Sequence, residues 1–294
     1  MTERNLAVGL AAGLGVLLVW SSFMVFSRMG ATSALTAYDL AGLRFIVAGA
    51  VTAPFALAWW PRELGWRRAA ILAITGPGAI YTLMMYVGLG VAPAAYGGVF
   101  ANGSLPLFAM AVAWITAGER PGPRRIAASL LLLGGGVLVA WPGLGGGGLA
   151  LAGGLALFVC ASALLSVYIR ALDVWAVTPK GALAVVNLPN LVIFLPIWVV
   201  FLPKGLAEAS NAEIAFQALF QGLGPGFLAV ILFTLTARHL GAAATAGISA
   251  TVPAGAALLA APVLGEALSA LEWLGVGLVT LGLATLVLRR LPKA

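Results

Sequence analysis

Ten apolar stretches, each about twenty residues long and parted by charged or Gly/Pro-rich breaks, constrain this chain more than any other feature. A helix rises ~1.5 Å per residue and the hydrocarbon core of a bilayer is ~30 Å thick, so each stretch has the length of one crossing. They run Leu6–Arg28, Leu35–Ala58, Ala69–Gly90, Pro93–Ala117 and Arg125–Trp141, then Leu149–Arg170, Gly181–Leu202, Glu213–Ala237, Ala243–Leu264 and Ser269–Leu288. Of the 294 residues, 62% are hydrophobic and 9% charged, against ~45–50% and ~25% in soluble domains. The expected fold class is an all-α integral membrane protein with ten transmembrane helices and no soluble domain. Arg4 precedes the first stretch as it would in a signal peptide, but the apolar run outlasts the ~7–15 residues of such a core, so it is read as a retained span.

The net charge of +7 points to topology and not to nucleic acid, because a nucleic-acid binder gathers its positive charge on one solvated face. Here the charges punctuate apolar runs. Lys and Arg concentrate on the cytoplasmic side of membrane proteins. With the N-terminus inside, the inner segments hold Arg4, Arg62, Arg67, Arg68, Arg120, Arg124, Arg125, Arg170, Lys180, Arg238, Arg289, Arg290 and Lys293, thirteen of the 16. Only Arg28 and Lys204 fall outside, and Arg44 falls within a span. The expectation is a multi-pass protein of the cell inner membrane with both termini cytoplasmic. One cysteine, Cys160, and one histidine, His239, exclude an internal disulfide and any metal site built on several such ligands, so no metal or cofactor is expected.

The chain repeats itself. Pro106 and Pro253 stand 147 positions apart, as do Gly118-Glu119 and Gly265-Glu266, and Gly76-Pro77-Gly78 precedes Gly224-Pro225-Gly226 by 148. This defines a first five-helix repeat over residues 1–142, a Gly-rich joint over 143–148 and a second repeat over 149–294. Five is odd, so the second copy enters the bilayer from the opposite side, giving two inverted five-helix repeats. In transporters built this way the substrate site sits near the midplane, where interrupted helices meet. Pro77, Pro106, Pro225 and Pro253 fall near the centres of four stretches, where each removes a backbone hydrogen bond and bends the helix.

Val19-Trp20-Ser21-Ser22-Phe23, Ala117-Gly118-Glu119-Arg120-Pro121 and the partial copy Leu264-Gly265-Glu266 resemble the drug/metabolite transporter superfamily, in particular its EamA-type ten-helix members. The resemblance spans essentially the whole chain and implies two five-helix halves. Trp20-Ser21, Tyr81 and Asn102, four residues before Pro106, are similar to positions in YddG-type amino-acid exporters. The sixth stretch departs from those exporters, with Cys160 and Ala161 in place of a large ring.

Candidate substrate-binding residues follow from chemistry at mid-depth. Asn102 offers donors and an acceptor one turn from Pro106, which suits both ends of a zwitterion; Ser249 is its counterpart before Pro253. Trp20 and Ser21 in the first stretch, Tyr81 and Met85 one turn apart in the third, and Ser162 and Ser166 on one face of the sixth complete the set, with the serines equally readable as interhelical glue. Arg44 is the only basic residue inside a span and a functional candidate by default; Asp39, five residues earlier, offers it a salt bridge. Asn187, Pro189 and Asn190 form a further polar break. Trp59, Trp60, Trp66, Trp141 and Trp273 stand near span ends as interfacial anchors, and Glu119 and Glu266 at helix ends read as structural pairing residues. Gly9 with Gly13, Gly134 to Gly136, Gly275, Gly277 and Gly282 allow close helix approach, within one chain or in a homodimer.

The expected function is export of amino acids, aromatic ones included, or of similar small metabolites by alternating access. No acidic residue lies near a span centre, so coupling to protons through a buried carboxylate is not expected. A multidrug or nucleotide-sugar carrier of the same superfamily is the alternative. No His, Asp or Glu cluster supplies a general base at depth, so the chain is not read as an enzyme.

Overall fold

Helix ends in this chain are set by residues that satisfy or release the terminal backbone groups. Asn5 accepts from Val8 N at 3.2 Å to start the first helix. Thr36 and Asp39 form a reciprocal capping box at the second, and Ser210 accepts from Glu213 N at 3.2 Å to start another. Gly118 (φ 68°, ψ 12°) and Gly265 (φ 70°, ψ 14°) end their helices in the left-handed conformation that glycine tolerates best.

The computed structural model describes residues 5–287, which hold helices and no strands. The helices are α1 Leu6–Ala31, α2 Ala37–Trp59, α3 Trp66–Val91, α4 Ala94–Ala117, α5 Pro123–Gly143, α6 Gly148–Val174, α7 Pro179–Phe201 and α8 Asn211–Leu240. These eight are long and apolar enough to cross a membrane. There follow α9 Ala242–Ala250, α10 Val252–Leu264 and α11 Ala270–Val287. The stretch expected as one helix over Ala243–Leu264 is thus divided at Thr251 (φ −87°, ψ −5°), just before Pro253, which has no N–H to continue the ladder. Backbone at the joint stays helical up to Gly148, where φ 53° and ψ −143° break it. Arg4, Leu288, Arg289, Arg290 and Lys293 lie outside the described residues.

Polarity is distributed inside out. Leu6, Leu10, Leu14 and Leu18 recur every fourth residue and form an exposed stripe down α1, and Leu57, Ile115 and Leu149 are more than four-fifths exposed. Ser27, Asp39, Arg44, Thr52, Asn187, Gln217 and Gln221 are buried. Hydrocarbon solvates the first set and forces the second to find partners inside.

α1 lies at the centre, against α3, α8, α9 and α10. Small residues set its distance from them: a Cβ on Gly9 would lie 2.6 Å from Leu240, and one on Gly13 2.5 Å from Ile248. These two glycines therefore serve packing within the chain. α5 and α11 cross more closely still, with ideal Cβ positions on Gly135 and Gly275 each 2.6 Å from the other's carbonyl oxygen.

Candidate substrate site

Each of the four mid-stretch prolines sits in, beside or one turn after a visible departure from α-helical backbone. Pro77 occupies a full break between Thr75 and Ala79. Pro225 lies within the wider π turn Gly224–Leu228, and Pro106 follows the π turn Gly98–Asn102 by one helical turn. Pro253 opens α10 after the break at Thr251.

The break at Pro77 is stabilised from across the molecule. Asn190, in a π turn of α7, accepts from Ala79 N at 2.8 Å and donates to Val186 O at 2.7 Å. It thereby supplies the acceptor that the interrupted helix no longer provides. A Cβ on Gly78 would stand 2.6 Å from Asn190 Nδ2, so the glycine is what admits that side chain.

Two adjoining cavities of about 280 and 330 Å³ open around these breaks and share Trp20, Arg44, Pro77 and Pro225 as walls. The smaller adds Phe23, Tyr81, Asn102, Leu105 and Leu165. The larger reaches past Asn187 and Phe233 to Val177 and Pro179, at the end of the molecule that carries the loops 60–65 and 175–178. Trp20 stacks on Phe233 with ring centroids 5.7 Å apart, which fixes its plane against α8. Asn102 is half-buried, and its amide makes no hydrogen bond to another described residue.

Toward the opposite end the cavity gives way to a sealed polar cluster. Gln221 accepts from Tyr86 Oη at 3.0 Å and donates to Gln217 Oε1 and to Ser27 Oγ, each at 3.0 Å, while Gln217 donates to Phe26 O at 2.9 Å. Beyond it Glu266 accepts from Arg28 Nε at 2.9 Å and from Ala94 N at 2.8 Å, and Arg28 also donates to Leu89 O at 2.6 Å. One ion pair thus ties α1, the end of α3, the start of α4 and the α10–α11 turn.

Of the residues expected at the site, Trp20, Tyr81, Asn102, Pro77 and Pro225 come together on the cavity wall. The others stand elsewhere. Ser21 faces α10, with Oγ 3.5 Å from Val252 O. Met85 is wholly buried in the core, one turn beyond the cavity end. Ser162 donates to Ala101 O at 2.8 Å and so ties α6 to the turn that presents Asn102; Ser166 and Ser249 donate to carbonyls of their own helices, Ala163 O and Thr245 O. Pro106 and Pro253 line neither cavity, and Pro253 instead packs on Gly98.

The salt bridge offered to Arg44 by Asp39 does not form. Asp39 accepts from Trp198 Nε1 at 3.0 Å, Thr36 N at 2.9 Å and Gly205 N at 2.7 Å, and it lines neither cavity. Arg44 is 5% exposed; it donates from Nη2 to Pro77 O at 3.5 Å and stands beside the Tyr86 phenol. The Gln217/Gln221 pair was legible as two amides four residues apart in an apolar helix, a spacing that puts both on one face. No group of three or more His, Cys, Asp or Glu residues that could hold a metal exists among the described residues.

An all-helical protein with eight helices long and apolar enough to cross a membrane, and a chamber at its helix breaks, is the class that this fold and site define. Residues 7–141 match the EamA-like transporter family. Among solved structures, one crystal structure of a protein superposes with a TM-score of 0.66 at 22% identity, covering 98% of this chain and 100% of that one; the likeness concerns the fold. No curated protein matches the chain.

Proposed function

We propose that the protein exports amino acids, aromatic ones included, or similar small metabolites by alternating access. In this reading residues 1–142 and 149–294 are inverted halves, with α9–α10 and α11 as the ninth and tenth crossings, and both termini lie in the cytoplasm of a cell whose inner membrane holds the protein. The observation that carries it is the cavity at which Pro77 of one half and Pro225 of the other meet beside Trp20, Tyr81 and Asn102. An irregular helix from each half, broken at Pro77 and widened to a π turn at Pro225, beside one chamber resembles the arrangement through which transporters rock about a fixed site. The matching left-handed turns at Gly118 and Gly265, 147 residues apart, support the two copies.

Counterflow in proteoliposomes with labelled amino acids, sugars and cationic drugs tests the substrate class. Asn102→Ala is expected to lower amino-acid flux about five-fold or more at unchanged expression, since removing a polar contact that a site is built around costs ~1–3 kcal/mol. Unchanged flux removes Asn102 from the site. Among the described residues the cavity walls hold no carboxylate, so uphill accumulation driven by an imposed pH gradient would contradict the uncoupled mechanism.

In the conformer described here the chamber reaches the Val177–Pro179 end and is closed at the Arg28–Glu266 end. Charge-assisted hydrogen bonds are worth ~1.5–3 kcal/mol, enough to bias two states roughly ten-fold or more. Glu266→Gln keeps an acceptor for Ala94 N and loses the ion pair. Spin labels on Thr32→Cys and Ala267→Cys, in a Cys160→Ala background, are expected to gain a longer-distance population in that variant. Identical distance distributions would show that the pair does not hold the closure.

A further inference from the structure

We infer that Arg44 makes the central cavity a receptor for carboxylates with an apolar body, and that the ammonium group of an amino acid is dispensable there. The inference rests on the transporter reading above and names the solute chemistry of that same site.

Arg44 is a permanent cation in a place that solvates cations poorly. A guanidinium carries five N–H donors and keeps its charge in proteins, and an unpaired charge at membrane depth is costly. Here it is 5% exposed, yet its hydrogen bond to Pro77 O is long, at 3.5 Å. Its nearest acidic neighbour in sequence is committed to Trp198, Thr36 and Gly205. Glu266 is bound to Arg28, and Glu272 accepts from Tyr96 and Ser269. Among the described residues no acidic side chain lines either cavity, while Arg44 lines both. The guanidinium also stands beside the Tyr86 phenol, which already donates to Gln221; with no carboxylate partner among the described residues, Arg44 is left on the wall of both cavities, where a carboxylate can take two of its donors in the parallel geometry that suits it.

The rest of the wall sorts the solute's other end. Trp20, Phe23, Tyr81, Leu105 and Leu165 are apolar surface for a ring or branched chain. An ammonium group meets neutral acceptors only, Asn102 among them, with a fixed positive charge in the same chamber. Like charges in one chamber of reduced dielectric repel. A cation without a carboxylate is rejected, and a carboxylate without an ammonium loses nothing.

Purified full-length protein in detergent, titrated with 3-phenylpropionate, phenylalanine and 2-phenylethylamine and read by tryptophan fluorescence and by the thermal-unfolding midpoint, tests this without transport. 3-Phenylpropionate is expected to bind at least as tightly as phenylalanine, and 2-phenylethylamine at least ten-fold more weakly than either. Arg44→Lys keeps that order with weaker binding, and Arg44→Met abolishes the preference. The ordering on the unmodified protein needs no variant, so misfolding of Arg44→Met leaves the test intact. Amine binding equal to or tighter than carboxylate binding overturns the inference, as does a ten-fold preference for phenylalanine over 3-phenylpropionate or the absence of binding by all three. Proteoliposome flux with the wider panel is read separately: flux without carboxylate preference sinks this inference alone, and no flux for any solute sinks the reading beneath it.

Discussion

Asp39→Ala is expected to destabilise the detergent-solubilised protein by about 3 kcal/mol or more, the sum for several buried donors that lose one shared acceptor. The carboxylate is wholly buried and accepts from Thr36 N, Thr36 Oγ1, Trp198 Nε1 and Gly205 N. It caps α2, anchors the indole of α7 and orders the chain after α7 at a single point. Alanine leaves three N–H donors unpaired, each at ~1–3 kcal/mol, with partial relief from water at the helix start. Asp39→Asn recovers little, because its NH₂ group faces either the indole N–H or two backbone N–H groups. Thermal unfolding followed by tryptophan fluorescence is the measurement, and an Asn variant as stable as the unmodified protein would mean that the second carboxylate oxygen accepts nothing of consequence.

Gly135→Val is expected to cost more than ~3 kcal/mol, at or above the usual range for overpacking. The new Cβ would lie 2.6 Å from the carbonyl oxygen of Gly275 and 2.9 Å from Val279 N. Both are backbone atoms, so relief requires α5 and α11 to part. Gly134→Ala is the control one residue away. Nothing lies within 4 Å of its added Cβ, and alanine gains up to ~1 kcal/mol of helix propensity over glycine. Opposite shifts of the thermal midpoint in the two variants are the expected result; a loss in both would assign the effect to the glycine backbone and not to the crossing.

Helix positions were legible because a bilayer leaves a spanning chain few alternatives: backbone polar groups must be satisfied within the segment, so a long apolar run between charges is a helix. The run Leu6–Arg28 became Leu6–Ala31, and Pro93–Ala117 became Ala94–Ala117. Hydropathy could not show the interruption at Thr251, which depends on where Pro253 leaves a carbonyl without its donor. At the site, rings and the amide beside prolines were found from residue type and depth. The serines were not separable that way, since a hydroxyl in a helix can bond a carbonyl one turn back, as Ser249 does with Thr245. Arg44 was visible as a charge, but its freedom from Asp39 is a tertiary fact: Trp198 and Gly205, more than 150 residues away, occupy the carboxylate.

Asn190 reaches from α7 into the gap in α3 and holds the amide of Ala79. A swivel of α3 about residues 76–78 therefore cannot proceed alone; it either drags α7 along or leaves the Ala79 amide without its side-chain acceptor. The flexible point of one helix is geared to a neighbour more than a hundred residues downstream, and motion there is transmitted as a unit.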